Sequence, residues 1–541
     1  MVRGWLGWVG LTLLAGCTDS ATEPGGPVPI TDERGLVPPL VCPGSSGCTE
    51  VAGALRVGAG AVAVTPTVEP FTDTNDNGQW DDGEPFEDFT GNGAYDPVWL
   101  AGFGNGRAAA SVHDDVWARA LVLEQGDLRI GMVVLDLVGL FHPDVIAIRQ
   151  AAAERGLDLD HVMVSTTHNH EAGDTMGIWG SSVAETGYDP AYVATVITGS
   201  AEALQIATEA LGPAVATVAQ AEAPELVNDT REPFVVDQPL TAIRFDDPDD
   251  GTPRATAVFW GNHPEALGSR NTALTSDFPH YLREDLEARY PDAPALYFNG
   301  SLGGLSTTIG IVGCPDADGE DTCPQGTFER AEYVGRGAAA AAIDALETRG
   351  TVVDGDLGLR RQGFLVATTN ARLALAFAVG LLPRTVHEAA TGAVLPADAA
   401  QSIVLADLLG GTYLLQSELN VIRLGGVSIA TVPGELYPEL WMQAPDGGHY
   451  QEAPDGRDDP DAPFLPPIQS MLDATTEVPV IINNANDAIG YVIPPSQWDE
   501  RAPFAYVDEG DDAQYGEENS IGAGTAQTVA DTFAEMMRAT P

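Results

Sequence analysis

Short, almost wholly apolar runs alternate along this chain with longer amphipathic, Ala-rich stretches. Ile130–Leu140 (IGMVVLDLVGL) reads as a buried strand, Asp144–Arg155 as a helix and His161–Thr166 (HVMVST) as a second strand, which together make a βαβ unit. Ala255–Trp260 (ATAVFW), Ala295–Asn299 (ALYFN), Val427–Val432 (VSIATV) and Val478–Ile482 (VPVII) are further strand-like runs. Val193–Ala210, Ala331–Thr348 and a closing Thr525–Arg538 carry helical periodicity, and the Asp/Pro/Gly-rich stretches 245–254 and 452–467 read as surface loops. The alternation predicts the α/β class, with mixed β-sheets flanked by helices.

The strand exits are the most informative positions, because ligands of open α/β sheets bind beyond the carboxyl ends of the strands. His161–Thr166 runs into Thr167-His168-Asn169-His170, and Ala255–Trp260 runs into Gly261-Asn262-His263-Pro264. Val427–Val432 meets Pro433-Gly434-Glu435, and Val478–Ile482 meets Asn483-Asn484-Ala485-Asn486-Asp487, with Tyr491 just beyond. Neutral imidazole and carboxylate are good zinc ligands, and a catalytic zinc keeps one position open for water. His168 and His170 are two apart, so an extended backbone would point both the same way, while a loop would separate their roles. A fifth exit, Gly300-Ser301-Leu302-Gly303-Gly304-Leu305-Ser306, is a glycine-rich bend able to present a hydroxyl and backbone N–H groups. The pattern predicts one metal site at the C-terminal ends of the strands, assembled from distant segments.

With 541 residues, 44% of them hydrophobic, the chain can bury a large core and is not disordered. The 79 acids against 25 bases, every base an Arg, give a formal charge of −54. Such a surface repels phosphate backbones, which disfavours nucleic acid as a partner. Arg3 precedes a short apolar stretch, Trp5–Ala15, too short to span a bilayer, that ends in Leu14-Ala15-Gly16-Cys17. This reads as an export signal over residues 1–17. The small residues before Cys17 resemble the lipobox of bacterial lipoproteins, which implies lipidation of Cys17 and a place in the cell envelope or periplasm, tied to a membrane by the lipid. Residues 18–55, rich in Pro, Gly, Ser and Thr, read as a tether, and 56–541 as the folded body. In an exported protein the close pairs Cys42/Cys48 and Cys314/Cys323 read as two local disulfides. Walker-type and Rossmann glycine motifs are absent, as is a GxSxG elbow near Ser306.

An acidic insert, 70–97, carries a calcium pattern. Asp73, Asn75, Asn77, Asp81 and Glu84 fall at oxygen-donor positions of a twelve-residue loop, Gln79 offers its carbonyl, and Gly78 stands where the chain turns sharply. A poorer copy follows at Asp88, Thr90, Asn92, Gly93 and Asp96, without an acid at its twelfth position. A structural role for Ca²⁺ fits, since the ion offsets repulsion among clustered carboxylates.

Taken together, these segments resemble the neutral/alkaline non-lysosomal ceramidase family over most of the chain from about Val57. Gly102-Phe-Gly-Asn-Gly106, Trp117-Ala-Arg-Ala120 and Leu135-Asp136-Leu137 look like its N-terminal block. Thr167-His168-Asn169-His170 is similar to THTHSG, with Glu171-Ala172 in place of Ser-Gly, and Asn262-His263-Pro264 matches a His-Pro block. Ser301–Ser306 resembles NLGDVS with Gly304 in place of Asp, Pro433-Gly434-Glu435 matches PGE, and Asn486–Tyr491 resembles NxYxxY. Cys314 and Cys323 fall where the family has cysteines. The resemblance reaches the family's catalytic part, and its C-terminal β-sandwich is expected to be absent, with the closing helix Thr525–Arg538 in its place.

The resemblance implies zinc held by His168, His263, Glu435 and Tyr491, with Ser306 as the catalytic serine and His170, Arg231 and Tyr515 facing substrate. It implies hydrolysis of a linear N-acyl amide, with a ceramide-like lipid as substrate. The alternative is a surface-anchored, non-catalytic relative that binds metal or lipid; the Gly304 change leans toward it and retention of the ligand set leans away.

Overall fold

The apolar runs become strands at and next to one edge of each of three five-stranded sheets. The computed structural model describes residues 51–75, 80–316, 318–395, 413–507 and 513–538. The export signal with Cys17, residues 18–50 of the tether, Cys42, Cys48, Asn77 and Gln79 lie outside these.

The first sheet runs in the order His161–Thr166, Leu128–Leu135, Trp117–Gln125, Arg56–Ala63 and Gly212–Pro213. The second runs Ala295–Asn299, Pro253–Trp260, Pro239–Asp246, Val215–Glu222 and Thr351–Val353. The third runs Leu357–Thr368, Tyr413–Leu424, Val427–Thr431 and Val478–Ile482, with the short His387–Glu388 strand also on Tyr413–Leu424. Each sheet is antiparallel except for one parallel pair at its edge. These pairs are Leu128–Leu135 with His161–Thr166, Pro253–Trp260 with Ala295–Asn299, and Val427–Thr431 with Val478–Ile482. Both strands of a parallel pair end on the same side, so every candidate exit loop belongs to such a pair.

Ile130, Met163, Ile243, Phe259, Phe298, Ile422, Val427, Ile429, Val480 and Ile482 belong to one central core shared by all three sheets. Burial on both faces explains why these strands read as continuous apolar runs rather than as alternation. Helices cover the outer faces. His142–Glu154 and Pro190–Glu209 share a core with the first sheet, Phe278–Arg289 and Phe328–Arg349 with the second, and Thr525–Arg538 with the third.

The strand expected over Ile130–Leu140 ends at Leu135. Apolarity alone cannot mark that end, because Leu137, Val138 and Leu140 remain buried in the following turns. What breaks the strand is Asp136. Its carboxylate takes a bidentate pair from Arg283 (2.7 and 2.9 Å) and accepts from the Trp117 N–H and the Ser276 hydroxyl. No helix among the described residues is long and apolar enough to cross a membrane.

The three parallel edges meet. Asn299 donates to the Thr167 carbonyl (2.6 Å), the Asn483 N–H donates to the Asn299 carbonyl (2.9 Å), and Ser165 bridges Ala485. Three amide contacts thus fasten the exit of each sheet to the exits of the other two.

Candidate metal centre

His168 follows the end of its strand with a left-handed backbone (φ 62°), which turns its imidazole away from the strand direction. Its Nδ1 lies 2.6 Å from the Val138 carbonyl, in the turn that Asp136 creates. His263 is anchored likewise: its Nδ1 lies 2.7 Å from the Ser306 carbonyl, which also accepts the His263 N–H at 2.9 Å. Asn484 Nδ2 also lies 3.2 Å from the His168 Nδ1, but the carbonyl contact is the shorter one, and a carbonyl oxygen can only accept, so each Nδ1 carries the hydrogen and each Nε2 keeps its lone pair.

Both bare nitrogens face the same atom. Nε2 of His168 and Nε2 of His263 are each 3.4 Å from Oε2 of Glu435. Metal–ligand bonds of about 2.0–2.1 Å in a tetrahedron place neighbouring ligand atoms about 3.3–3.4 Å apart, so both gaps to Glu435 match the edge of a zinc tetrahedron. Glu435 reaches this position through a two-residue parallel ladder, Glu435–Leu436 on Tyr491–Val492, in which Glu435 faces Tyr491. The bend at 300–306 packs directly against it. A Cβ added to Gly303 would lie 2.2 Å from the Glu435 carbonyl oxygen, so this position admits only glycine.

The buried Tyr491 bonds its side chain to Glu435, and burial followed by the Glu435 charge pushes its phenol well above the ordinary range. In the His263 imidazole, burial works toward a lower pKa. The nearby Glu435 and Glu265 carboxylates outweigh it and lift the ring. His170 is held well below its ordinary value by burial and by the two neighbouring imidazoles, so it is neutral. Its ring lies 4.9 Å from that of His168 and 5.7 Å from that of His263, and one ligand atom from each of the three histidines falls within a common 4.8 Å.

The structure brings the remaining expected residues to the same place. Ser306 is buried, and its Oγ has no hydrogen-bond partner among the described residues. Arg231 lies over the Tyr437 ring (5.0 Å) and donates to Glu517 (2.8 Å), the Tyr515 carbonyl (2.8 Å) and the Glu232 carbonyl (3.2 Å). Its guanidinium therefore secures the segment that carries Tyr515. The Tyr515 ring stands edge-on to Tyr491 at 5.8 Å, on a residue that is partly exposed. Cys314 and Cys323 form the expected disulfide, in the segment that follows Ser306.

In the acidic insert, Glu84 accepts from the Thr74 N–H (2.7 Å), the Thr74 hydroxyl (2.9 Å) and the Asp81 N–H (3.0 Å), and Asn75 donates to Asp81 (2.6 Å). The second copy has a matching closure from a residue the motif did not include. Glu69 accepts from the N–H groups of Phe89 (2.9 Å), Thr90 (3.1 Å) and Asp96 (2.9 Å). Glu69-Pro70-Phe71 and Glu84-Pro85-Phe86 open two tandem units, and each glutamate closes the loop of the other unit. Trp80 and Tyr95, at equivalent positions, stack at 4.6 Å, and Phe71 bridges Phe86.

Two neighbours of the histidines carried no motif signal. Glu265, directly after His263-Pro264, lies 3.5 Å from Nδ1 of His170. The buried Glu171 pairs with Arg107 at 3.1 Å. Arg107 also donates to the His170 carbonyl, so the Glu171-Ala172 departure from the expected Ser-Gly belongs to a salt-bridged wall behind His170.

No protein-family model and no curated protein matches the chain. Solved structures do. Neutral ceramidase from Pseudomonas aeruginosa superimposes with a TM-score of 0.61 at 15% identity, over 90% of this chain and 74% of that one. A ceramidase complexed with C2 superimposes with a TM-score of 0.59 at 14% identity, over 90% and 75%. The three helix-backed sheets, with their joined strand exits, thus have the fold of the neutral ceramidases.

Proposed function

We propose that this chain is a zinc-dependent hydrolase of linear N-acyl amides, with a ceramide-like lipid as substrate. The observation that carries the proposal is the pair of 3.4 Å gaps from Oε2 of Glu435 to two histidine nitrogens whose other ring positions are spent on carbonyls. His168, His263, Glu435 and Tyr491 would hold the ion. Bound there, zinc supplies Lewis acidity, polarising an amide carbonyl and acidifying water toward a pKa of ~7.

The surrounding residues do the rest. In the overall reaction the amide C–N bond breaks, the acyl carbon gains the oxygen of water, and the amine nitrogen gains a proton. His170 moves that proton. Ser306 and the tyrosine hydroxyls hold the amide, and Arg231 keeps Tyr515 in place at the rim. Ca²⁺ in the insert is a structural ion, held by Asp73, Asn75, Asp81 and Glu84 with Asn77 and Gln79. Lipidated Cys17 tethers the enzyme at a membrane, near lipid substrates.

The test is zinc content together with turnover of fluorescent N-acyl amides and ceramide, before and after chelation, on protein starting after Cys17. His168→Ala should lose zinc and turnover while keeping its circular dichroism. Hydrolysis by zinc-free His168→Ala would overturn the proposal.

A further inference from the structure

The carboxylate of Glu265 enters the histidine cluster without being part of any motif. Its side chain is buried among the site residues. One oxygen takes the hydroxyl of Thr307, whose backbone bridges His263. The other stands 3.5 Å from Nδ1 of His170. Both ring nitrogens of His170 are buried and lack a hydrogen-bond partner among the described residues.

The rest of the His170 environment fixes the ring but leaves its nitrogens free. Its backbone N–H donates to the Pro264 carbonyl (3.0 Å). Phe103 meets the ring edge-on at 5.0 Å, and a Cβ on Gly102 would lie 2.3 Å from Cγ of His170. Apolar walls hold a ring in place but cannot choose which nitrogen bears the hydrogen. A neutral imidazole has one donor and one acceptor nitrogen, and the tautomer follows the partner at Nδ1. The Glu265 carboxylate, 3.5 Å from Nδ1, is an acceptor that a small shift would bring into hydrogen-bond reach of it.

We infer that Glu265 is a positioning residue for His170: it holds the hydrogen on Nδ1 and so presents a bare Nε2 to the substrate amide. There Nε2 takes a proton from the attacking water and returns it to the leaving amine. The inference rests on the hydrolase reading above and adds to it the residue that sets up proton transfer.

Two variants test it, with the labelled ring ¹⁵N signals of His170 assigned by their loss in His170→Ala. Glu265→Met keeps length and bulk but offers no acceptor, whereas Glu265→Gln still offers an amide oxygen. Zinc content should match the parent protein in both. In Glu265→Met the His170 signals should leave the Nδ1–H pattern, and kcat should fall about 10–100-fold with KM within about twofold, since positioned proton transfer contributes about 10²–10⁴-fold. Glu265→Gln should keep the pattern and most of the kcat. Should Glu265→Met fold poorly, Thr307→Val frees the carboxylate from its anchor and should show the same changes at smaller size.

An unchanged His170 pattern in Glu265→Met would overturn the inference. So would zinc loss, which would make Glu265 a ligand, or equal kcat loss in both variants. If the parent protein turned over no amide, the hydrolase reading would fall, and the ring spectra alone would still decide whether Glu265 sets the His170 tautomer.

Discussion

Glu435 faces Tyr491 directly across a parallel pair of two-residue strands, and the tyrosine side chain bonds the carboxylate whose Oε2 stands 3.4 Å from each of two histidine nitrogens. In the proposed zinc site Tyr491 would both hold the ion and orient the glutamate. Glu435→Gln should lose zinc, because a neutral amide is a poor ligand where a carboxylate is required. Tyr491→Phe should keep the fold but weaken zinc by about 10–100-fold, the usual cost of losing a group that orients a ligand. Competition with a chromogenic zinc chelator reads both.

The exits were legible in the sequence because buried strands of this kind are short, apolar and closed by polar or glycine-rich turns. His161–Thr166, Ala295–Asn299 and Val478–Ile482 end where the pattern ends. Their pairing was not legible. Nothing in the apolar runs says that three parallel pairs sit at the edges of three separate sheets, or that Asn299 and Asn483 join them. Glu265 was silent for a related reason: its meaning comes from His170, which reaches it only in the folded chain. Glu69 escaped because the calcium motif is read forward, whereas the closing acid of the second loop precedes the first.

Behind the site, the buried Glu418 takes a bidentate pair from Arg149 (3.1 and 2.9 Å), with Arg361 and His161 nearby. Arg149 also donates to Asn486, in the turn that leads to Tyr491. Burial would raise the Glu418 carboxyl, but Arg149, His161 and Arg361 hold it well below the carboxylate range. Removing Arg149 takes the bidentate partner from a buried charge and leaves it only the more distant Arg361. Arg149→Met should cost about 3–5 kcal/mol in denaturant unfolding near pH 7. The loss should shrink as pH falls through the acid range, where the stability given by a depressed carboxylate is itself lost.

Asp277 should give the opposite pH dependence. It caps helix Phe278–Arg289 through the Phe278 N–H, from a left-handed backbone position (φ 57°). Burial, with Glu265 and Asp114 adding negative charge, pushes its carboxyl from 3.8 up to about 7. The folded value lies above the unfolded one, so the stability from this group is full at low pH and is lost as pH rises through about 7. A shift of this size corresponds to on the order of 4 kcal/mol. Asp277→Asn keeps an oxygen for the cap and removes the titration. Its melting temperature should fall less between pH 5 and pH 8.5 than that of the parent protein, and parallel curves would contradict the assignment.

The reciprocal closure of the acidic insert makes the calcium reading testable one loop at a time. Glu84 ties the first loop through Thr74 and Asp81, and Glu69 ties the second through Phe89, Thr90 and Asp96. The stacked Trp80–Tyr95 pair lies between the two loops, so ordering one should help to order the other. Calcium should raise the melting temperature and EDTA should lower it, with magnesium a poor substitute because it demands tighter octahedral geometry. Glu84→Ala should remove calcium from the first loop and quench the calcium-dependent change in Trp80 fluorescence. Glu69→Ala should leave that signal largely in place while lowering total bound calcium, measured by titration calorimetry. If neither variant altered calcium uptake, the insert would be held by its hydrogen bonds alone.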